Sequence, residues 1–199
     1  GIRDILITSP VVTAEKISRV VALIGTNDDV KVVVDNLESA IRFDQAAKAQ
    51  GVTLKVFVDI DPGMGRTGIE AGEPVLHLVQ AIDQQCPSLK FCGLQMYAGN
   101  CMHIEGFEKR QKKYQSVMSK GELTRDLFAS AGVDIPVFSG GGTGTYSMES
   151  EMGLINELQA GSYAFMDIEY RDIGGVESEQ YRDFDVSLFV LVTAISQPQ

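Results

Sequence analysis

Short apolar runs rich in branched residues recur along the chain at 4–8, 31–34, 54–60, 89–97, 135–138 and 158–166. Most lack the apolar–polar alternation of a half-exposed strand, which is the pattern of strands buried on both faces. Helical signals lie between them. Thr13 can cap a helix through Ile17, Val20, Val21 and Leu23 that ends at Gly25, and Asn36 can cap a second through Leu37, Ile41, Ala46 and Ala47 to Gly51. Pro74 opens a third, carrying Val75, Leu78, Val79 and Ile82. A longer helical stretch is expected from about Glu105 to Ala131, broken near Gly121.

Strand–helix alternation at this spacing implies a parallel sheet with right-handed crossovers, either an open doubly wound sheet or a (β/α) barrel. The unusual residues decide between them. Ser9-Pro10, Asp35-Asn36, Asp59 to Gly68, Tyr97 to Asn100 and Ser139 to Thr145 follow the ends of successive strand candidates, and Gly161 to Tyr163 falls within the last. Chemistry drawn from many strand ends favours a barrel over one switch-point crevice. Residues 1–170 are therefore read as a partial (β/α)8 TIM barrel of about six βα units. Its unpaired edges would not stand alone as a stable protein. From Arg171 the pattern changes to a polar loop and then to Val186–Ile195, so 171–199 is read as a linker and the first strand of a C-terminal β domain.

Composition narrows the function classes. With 199 residues, 44% hydrophobic and 22% charged, the chain has the make-up of a globular domain, not of a disordered or collagen-like one. A net charge of −10, with basic residues scattered except at Lys109-Arg110 and Lys112-Lys113, argues against a nucleic-acid footprint. The longest apolar runs, Val20 to Ile24 and Leu188 to Val192, are far shorter than the roughly 18 to 20 residues that cross a bilayer. The cysteines, Cys86, Cys92 and Cys101, form no close-spaced metal pair and suit a reducing cytoplasm, with core packing the reading for Cys92. Gly1 opens the chain without a methionine, so the amino end reads as cut.

Phe138 to Tyr146 read FSGGGTGTY, a loop whose backbone can close on an anion because glycine lets the main chain approach closely. Alone it fits equally a loose turn. Three segments accompany it: Val58 to Gly68 (VDIDPGMGRTG), Gly93 to His103 (GLQMYAGNCMH) and Glu157 to Asp167 (ELQAGSYAFMD). Together these resemble the D-threonine aldolase and metal-dependent D-serine dehydratase group, whose barrel is of the alanine racemase type and which uses pyridoxal 5′-phosphate. The resemblance runs from about Asp4 to Ile195.

It implies that the cofactor phosphate sits on backbone amides of Gly141, Gly142 and Thr143 together with Gly161 and Ser162. It places Arg66 near the phenolic oxygen and the ring of Tyr97 against the pyridine; a surface ion pair and core packing are the respective alternatives. Gln159 stands where alanine racemase has an arginine facing the pyridine nitrogen, which argues against a racemase. His103 is placed near the substrate side chain, where it would take the β-hydroxyl proton, although a solvent-exposed loop histidine fits as well. His77 reads as structural.

The lysine that binds the cofactor covalently belongs, by the resemblance, to a segment before Gly1, and ligands for a divalent metal (Mn, Mg or Zn) to one after Gln199. The chain thus reads as the middle of a polypeptide of roughly 370 to 400 residues. The implied activity is retro-aldol cleavage of D-threonine-like D-β-hydroxy-α-amino acids to glycine and an aldehyde. D-serine or D-3-hydroxyaspartate dehydration, racemisation and non-catalytic pyridoxal phosphate binding stay open. So does a homodimer.

Overall fold

The computed structural model describes residues 1–196. Six parallel strands, β1 (Ile5–Ile7), β2 (Val30–Val34), β3 (Leu54–Asp59), β4 (Leu89–Met96), β5 (Val137–Gly140) and β6 (Glu157–Leu158), pair in strict chain order. Sequential order has no switch point, as a barrel requires. Asp4, Leu6 and Thr8 at the first edge line the same cleft as Glu157, Leu158 and Gln159 at the last, so the sheet curls into an arc. The fold is a partial (β/α) barrel.

Local chemistry explains the helices. Thr13 accepts from the Lys16 amide (3.4 Å) to start α1 (Ala14–Ile24), and Asn36 accepts from Ser39 (2.8 Å) to start α2 (Leu37–Gln50). Gly51 closes α2 at φ 66°, the left-handed conformation glycine adopts without strain. Pro74 sits in the first turn of α3 (Glu73–Gln85), where no amide partner is lost. α4 runs unbroken from Phe107 to Ser130, against the expected break at Gly121. A Cβ on Gly121 would stand 2.9 Å from Leu154 Cδ2 and 3.2 Å from Met96 Sδ and Phe138 Cζ, so this glycine lets the helix approach the sheet closely.

Two strand readings are corrected, and a third finds no partner among the described residues. β5 begins at Val137 because Pro136 has no N–H to donate, and it runs on through Ser139 and Gly140, whose missing Cβ would meet the Met96 carbonyl at 2.5 Å. The run 158–166 is not one strand: β6 ends at Leu158, and 162–165 turn into a short 3-10 helix. Val186–Ile195 forms no strand with the described residues. A strand exists only through its ladder partner, and here Phe189, Val190 and Leu191 are left exposed, the last 98% so. The end of the expected 171–199 segment, residues 197–199, lies outside the described residues.

The strands present two unlike faces. Val32, Val34, Val56, Val58, Leu94, Met96 and Phe138 pack into the helix-side core with Val21, Phe43, Val79, Ile82 and Phe128. Each such side chain contributes roughly 1.5–3 kcal/mol by leaving water. The alternate positions turn to the inside of the arc and become polar toward the carboxyl ends: Asp59, Gln95 and Ser139 are all buried there. Two further helices, α5 (Tyr146–Met152) and α6 (Ile168–Asp172), follow β5 and β6.

Candidate functional site

The turn after β3 is shaped by its own carboxylate. Asp61 Oδ1 accepts from the amides of Gly63 (2.9 Å), Met64 (2.7 Å) and Gly65 (3.2 Å), and Gly63, Gly65 and Gly68 all have positive φ. A Cβ on Gly68 would lie 2.4 Å from the Asp61 nitrogen, so the turn closes only with glycine there. This curl presents Arg66 at the rim, exposed and without an ion pair among the described residues.

Beyond β5 the glycine loop is buried and held from several directions. The Gly142 amide donates to Thr145 Oγ1 (3.2 Å), Tyr181 donates its hydroxyl to the Thr143 carbonyl (2.6 Å), and Arg110 Nε donates to the Gly144 carbonyl (2.8 Å). The Tyr163 amide donates to Thr143 Oγ1 (3.0 Å), which fastens the loop after β6 to the loop after β5. Behind Gly141 stands Glu149, only 4% exposed, with Tyr114 donating to its Oε1 and Oε2 unpartnered among the described residues. Burial pushes its carboxyl up to about 7.

Between turn and loop, a polar chain crosses the inside of the arc. Thr67 donates to Asp59 Oδ2 (2.8 Å), and Gln95 Nε2 donates to Asp59 Oδ1 (2.8 Å) and to the Thr8 carbonyl (3.2 Å). Gln159 Nε2 donates to Gln95 Oε1 (3.0 Å) and Ser139 Oγ (2.9 Å). The direction of this chain is fixed by its end. A carboxylate and a carbonyl only accept, so Gln95 must turn its NH2 to them and its oxygen to Gln159. That leaves Gln159 Oε1 as an uncommitted acceptor. Burial raises the Asp59 pKa, opposed by the hydrogen bonds from Gln95 and Thr67. Arg66, Thr67, Gln95, Tyr97 and Gln159 line a cleft of about 710 Å³.

Residues 1–169 match the family described as alanine racemase, N-terminal domain. The chain belongs to this alanine racemase N-terminal domain family. Within it, the chain is 36% identical over 198 residues to the 3-hydroxy-D-aspartate aldolase of Paracoccus denitrificans (strain Pd 1222), covering 98% of this chain and 51% of that protein. It is 34% identical over 198 residues to the D-threonine aldolase of an Arthrobacter species, covering 100% and 51%. The crystal structure of D-threonine aldolase from Filomicrobium marinum superposes with a TM-score of 0.86 at 29% identity, over 96% of this chain and 51% of that one. The chain spans about half the length of the curated relatives it matches.

In this member of the alanine racemase N-terminal domain family, the expected site residues fall into two groups and an outlier. Arg66, Tyr97 and Gln159 line the cleft. Gly141, Gly142 and Thr143 form the adjoining loop, joined to the cleft where a Cβ on Gly142 would meet the Tyr97 ring at 3.3 Å and to Gly161–Ser162 through Tyr163. His103 is elsewhere: its Nδ1 lies 3.2 Å from Glu169 Oε1 and its ring packs on Tyr170 at 4.6 Å, outside the cleft lining. Burial raises the Tyr97 hydroxyl pKa, with Arg66 pulling it the other way.

The donors suit a phosphorylated ring. The amides of Thr143, Gly144, Gly161 and Ser162 donate to no acceptor among the described residues, and Gly161 and Ser162 are exposed. Arg110, Tyr114, Glu149 and Tyr181 escaped the sequence reading. Arg110 and Tyr114 sit in a helix that reads as charged surface, and only their i, i+4 spacing places them on one face. Lys31 and Lys55 pair with Asp29 at the opposite ends of their strands.

Proposed function

We propose that this chain forms the cofactor-binding part of a pyridoxal 5′-phosphate-dependent lyase acting on D-β-hydroxy-α-amino acids, cleaving them to glycine and an aldehyde. The observation that carries the proposal is the junction of cleft and loop: Arg66, Tyr97 and Gln159 beside a glycine loop whose neighbour's amides are uncommitted. The aldolase names of relatives at 36% and 34% identity support the same reading.

When bound, the cofactor supplies an electron sink for charge developing at the substrate Cα. The chain's own residues do the rest. Arg66, a permanent cation at the cleft, would favour an anionic oxygen on the ring. Tyr97 supplies a flat face for packing. Gln159, its amide held by Gln95 and Ser139, would offer Oε1 to a protonated ring nitrogen, a polarity that Asp59 sets from the far end of the chain. Arginine at this position could only donate. His103 stands against Glu169 outside the cleft lining, so it would take the β-hydroxyl proton only from a substrate side chain that extends past the cleft, and a divalent cation (Mn, Mg or Zn) would be held by ligands outside this chain. Cytoplasmic residence, homodimerisation and a C-terminal β domain beginning within 171–199 belong to the same proposal. No helix among the described residues is long and apolar enough to cross a membrane.

The test is product analysis. Incubating the complete gene product with D-threonine and with D-3-hydroxyaspartate is expected to release glycine, with acetaldehyde and glyoxylate respectively. Release of a 2-oxo acid and ammonia instead would assign dehydration, the activity named for a relative that is 28% identical over 167 residues.

A further inference from the structure

Arg110 is fully buried in α4, yet no carboxylate bonds to it among the described residues. Its guanidinium is directed instead at main-chain oxygens. Nε donates to Gly144, Nη1 to Ile104 and Ile173, and Nη2 to Gly174, each at 2.8 Å. Four carbonyl dipoles replace the water the cation has lost, but they do not neutralise it. Burial accordingly weakens its hold on its proton, while Asp183 and Tyr181 act in the opposite sense. An anion nearby would offset the cost of that buried charge.

The glycine loop is where such an anion fits. Arg110 holds it by the Gly144 carbonyl, one residue from Thr143, and among the described residues no other lysine or arginine side chain bonds to the loop. Glu149, the acidic group against the loop, is deeply buried, and Tyr114 from the same face of α4 bonds to it. We infer that Arg110 is a positioning residue that gives the glycine loop its charge, making it selective for a dianionic phosphate monoester held by the amides of Thr143, Gly144, Gly161 and Ser162. This rests on the cofactor reading above and adds the source of the cup's electrostatics. Since Arg110 also ties in Ile104, Ile173 and Gly174, one side chain couples the cup to the segment carrying His103 and to the chain beyond α6.

The experiment compares pyridoxamine 5′-phosphate with pyridoxamine, ligands that differ only in the phosphate, on the cofactor-free complete gene product. Arg110→Gln is expected to weaken the phosphorylated ligand at least about tenfold and the unphosphorylated one by less than about twofold, and Arg110→Lys to recover most of the selectivity. Equal weakening of both ligands, or an unchanged preference, would overturn the proposal. The second measurement needs no variant. The phosphorus resonance of bound pyridoxamine 5′-phosphate in the unmodified protein should titrate at least about one unit below the free ester, whose second pKa is about 6; an unshifted or raised value sinks the inference. Should the unmodified protein show no preference for the phosphorylated ligand, the cofactor reading itself fails, a result distinct from loss of the Arg110 effect alone.

Discussion

Two glycine-rich turns follow β3 and β5, on either side of β4, and they are held in opposite ways. The Asp61–Gly68 turn is fastened mainly from within: one carboxylate takes three amides two to four residues away, and its glycines supply the positive φ values. The Gly141–Thr145 loop is held mostly from afar, by Arg110, Met102, Glu149, Tyr163 and Tyr181. The first is exposed and can present a cation. The second is buried, so its backbone is fixed before any ligand arrives. A local device suffices to aim a side chain, whereas a preorganised set of amides needs neighbours on every side.

Substitutions that add a single methyl group separate the two most sharply. A Cβ at Gly144 would lie 2.4 Å from the Met102 carbonyl oxygen, so Gly144→Ala is expected to cost about 3 kcal/mol or more in urea unfolding and to abolish cofactor binding. The contrast would break if Gly144→Ala proved as mild as Gly65→Ala.

Glu149 tests the buried support by pH. Its folded pKa of about 7 lies above the ordinary 4.5, so the folded protein binds the proton more tightly than the unfolded chain. Its stabilising contribution is complete below about pH 4.5, declines as pH rises, and is lost by about pH 7 and above, a swing of roughly 3 kcal/mol. Glu149→Gln should flatten this part of the stability profile measured by urea unfolding between pH 4 and pH 8. An unchanged slope would remove Glu149 from the account.

The local turn should answer more gently. Asp61→Ala leaves three amides to water and should cost about 1–2 kcal/mol, with a weaker Arg66 contribution read as reduced cofactor affinity. Gly65→Ala meets nothing within 4 Å but forces a side chain into φ 63°, and about 1 kcal/mol is expected in the same assay.

Much of the architecture was legible because its causes are local. Thr13, Asn36, Pro74 and Gly51 act within a turn of where they stand, and the parallel sheet follows from alternation alone. What misled were residues whose role depends on a distant neighbour. Gly121 reads as a helix breaker but accommodates Leu154, Met96 and Phe138, and 158–166 reads as a strand although only two residues of β6 find a partner. The candidate site divides the same way: Arg66, Tyr97 and Gln159, which line the cleft, stood out through their motifs, whereas Arg110 was hidden in a charged stretch.

The sequence by itself determined the strand–helix rhythm, the caps, the Asp61 turn and the family, because each depends on residue types at fixed short spacings. Only the tertiary structure decided that Arg110 is buried beneath the glycine loop, that Asp59 orients Gln159 through Gln95, and that His103 turns to Glu169. Burial and hydrogen-bond direction are properties of the whole packed chain, set by contacts dozens of residues apart, and short spacing does not encode them.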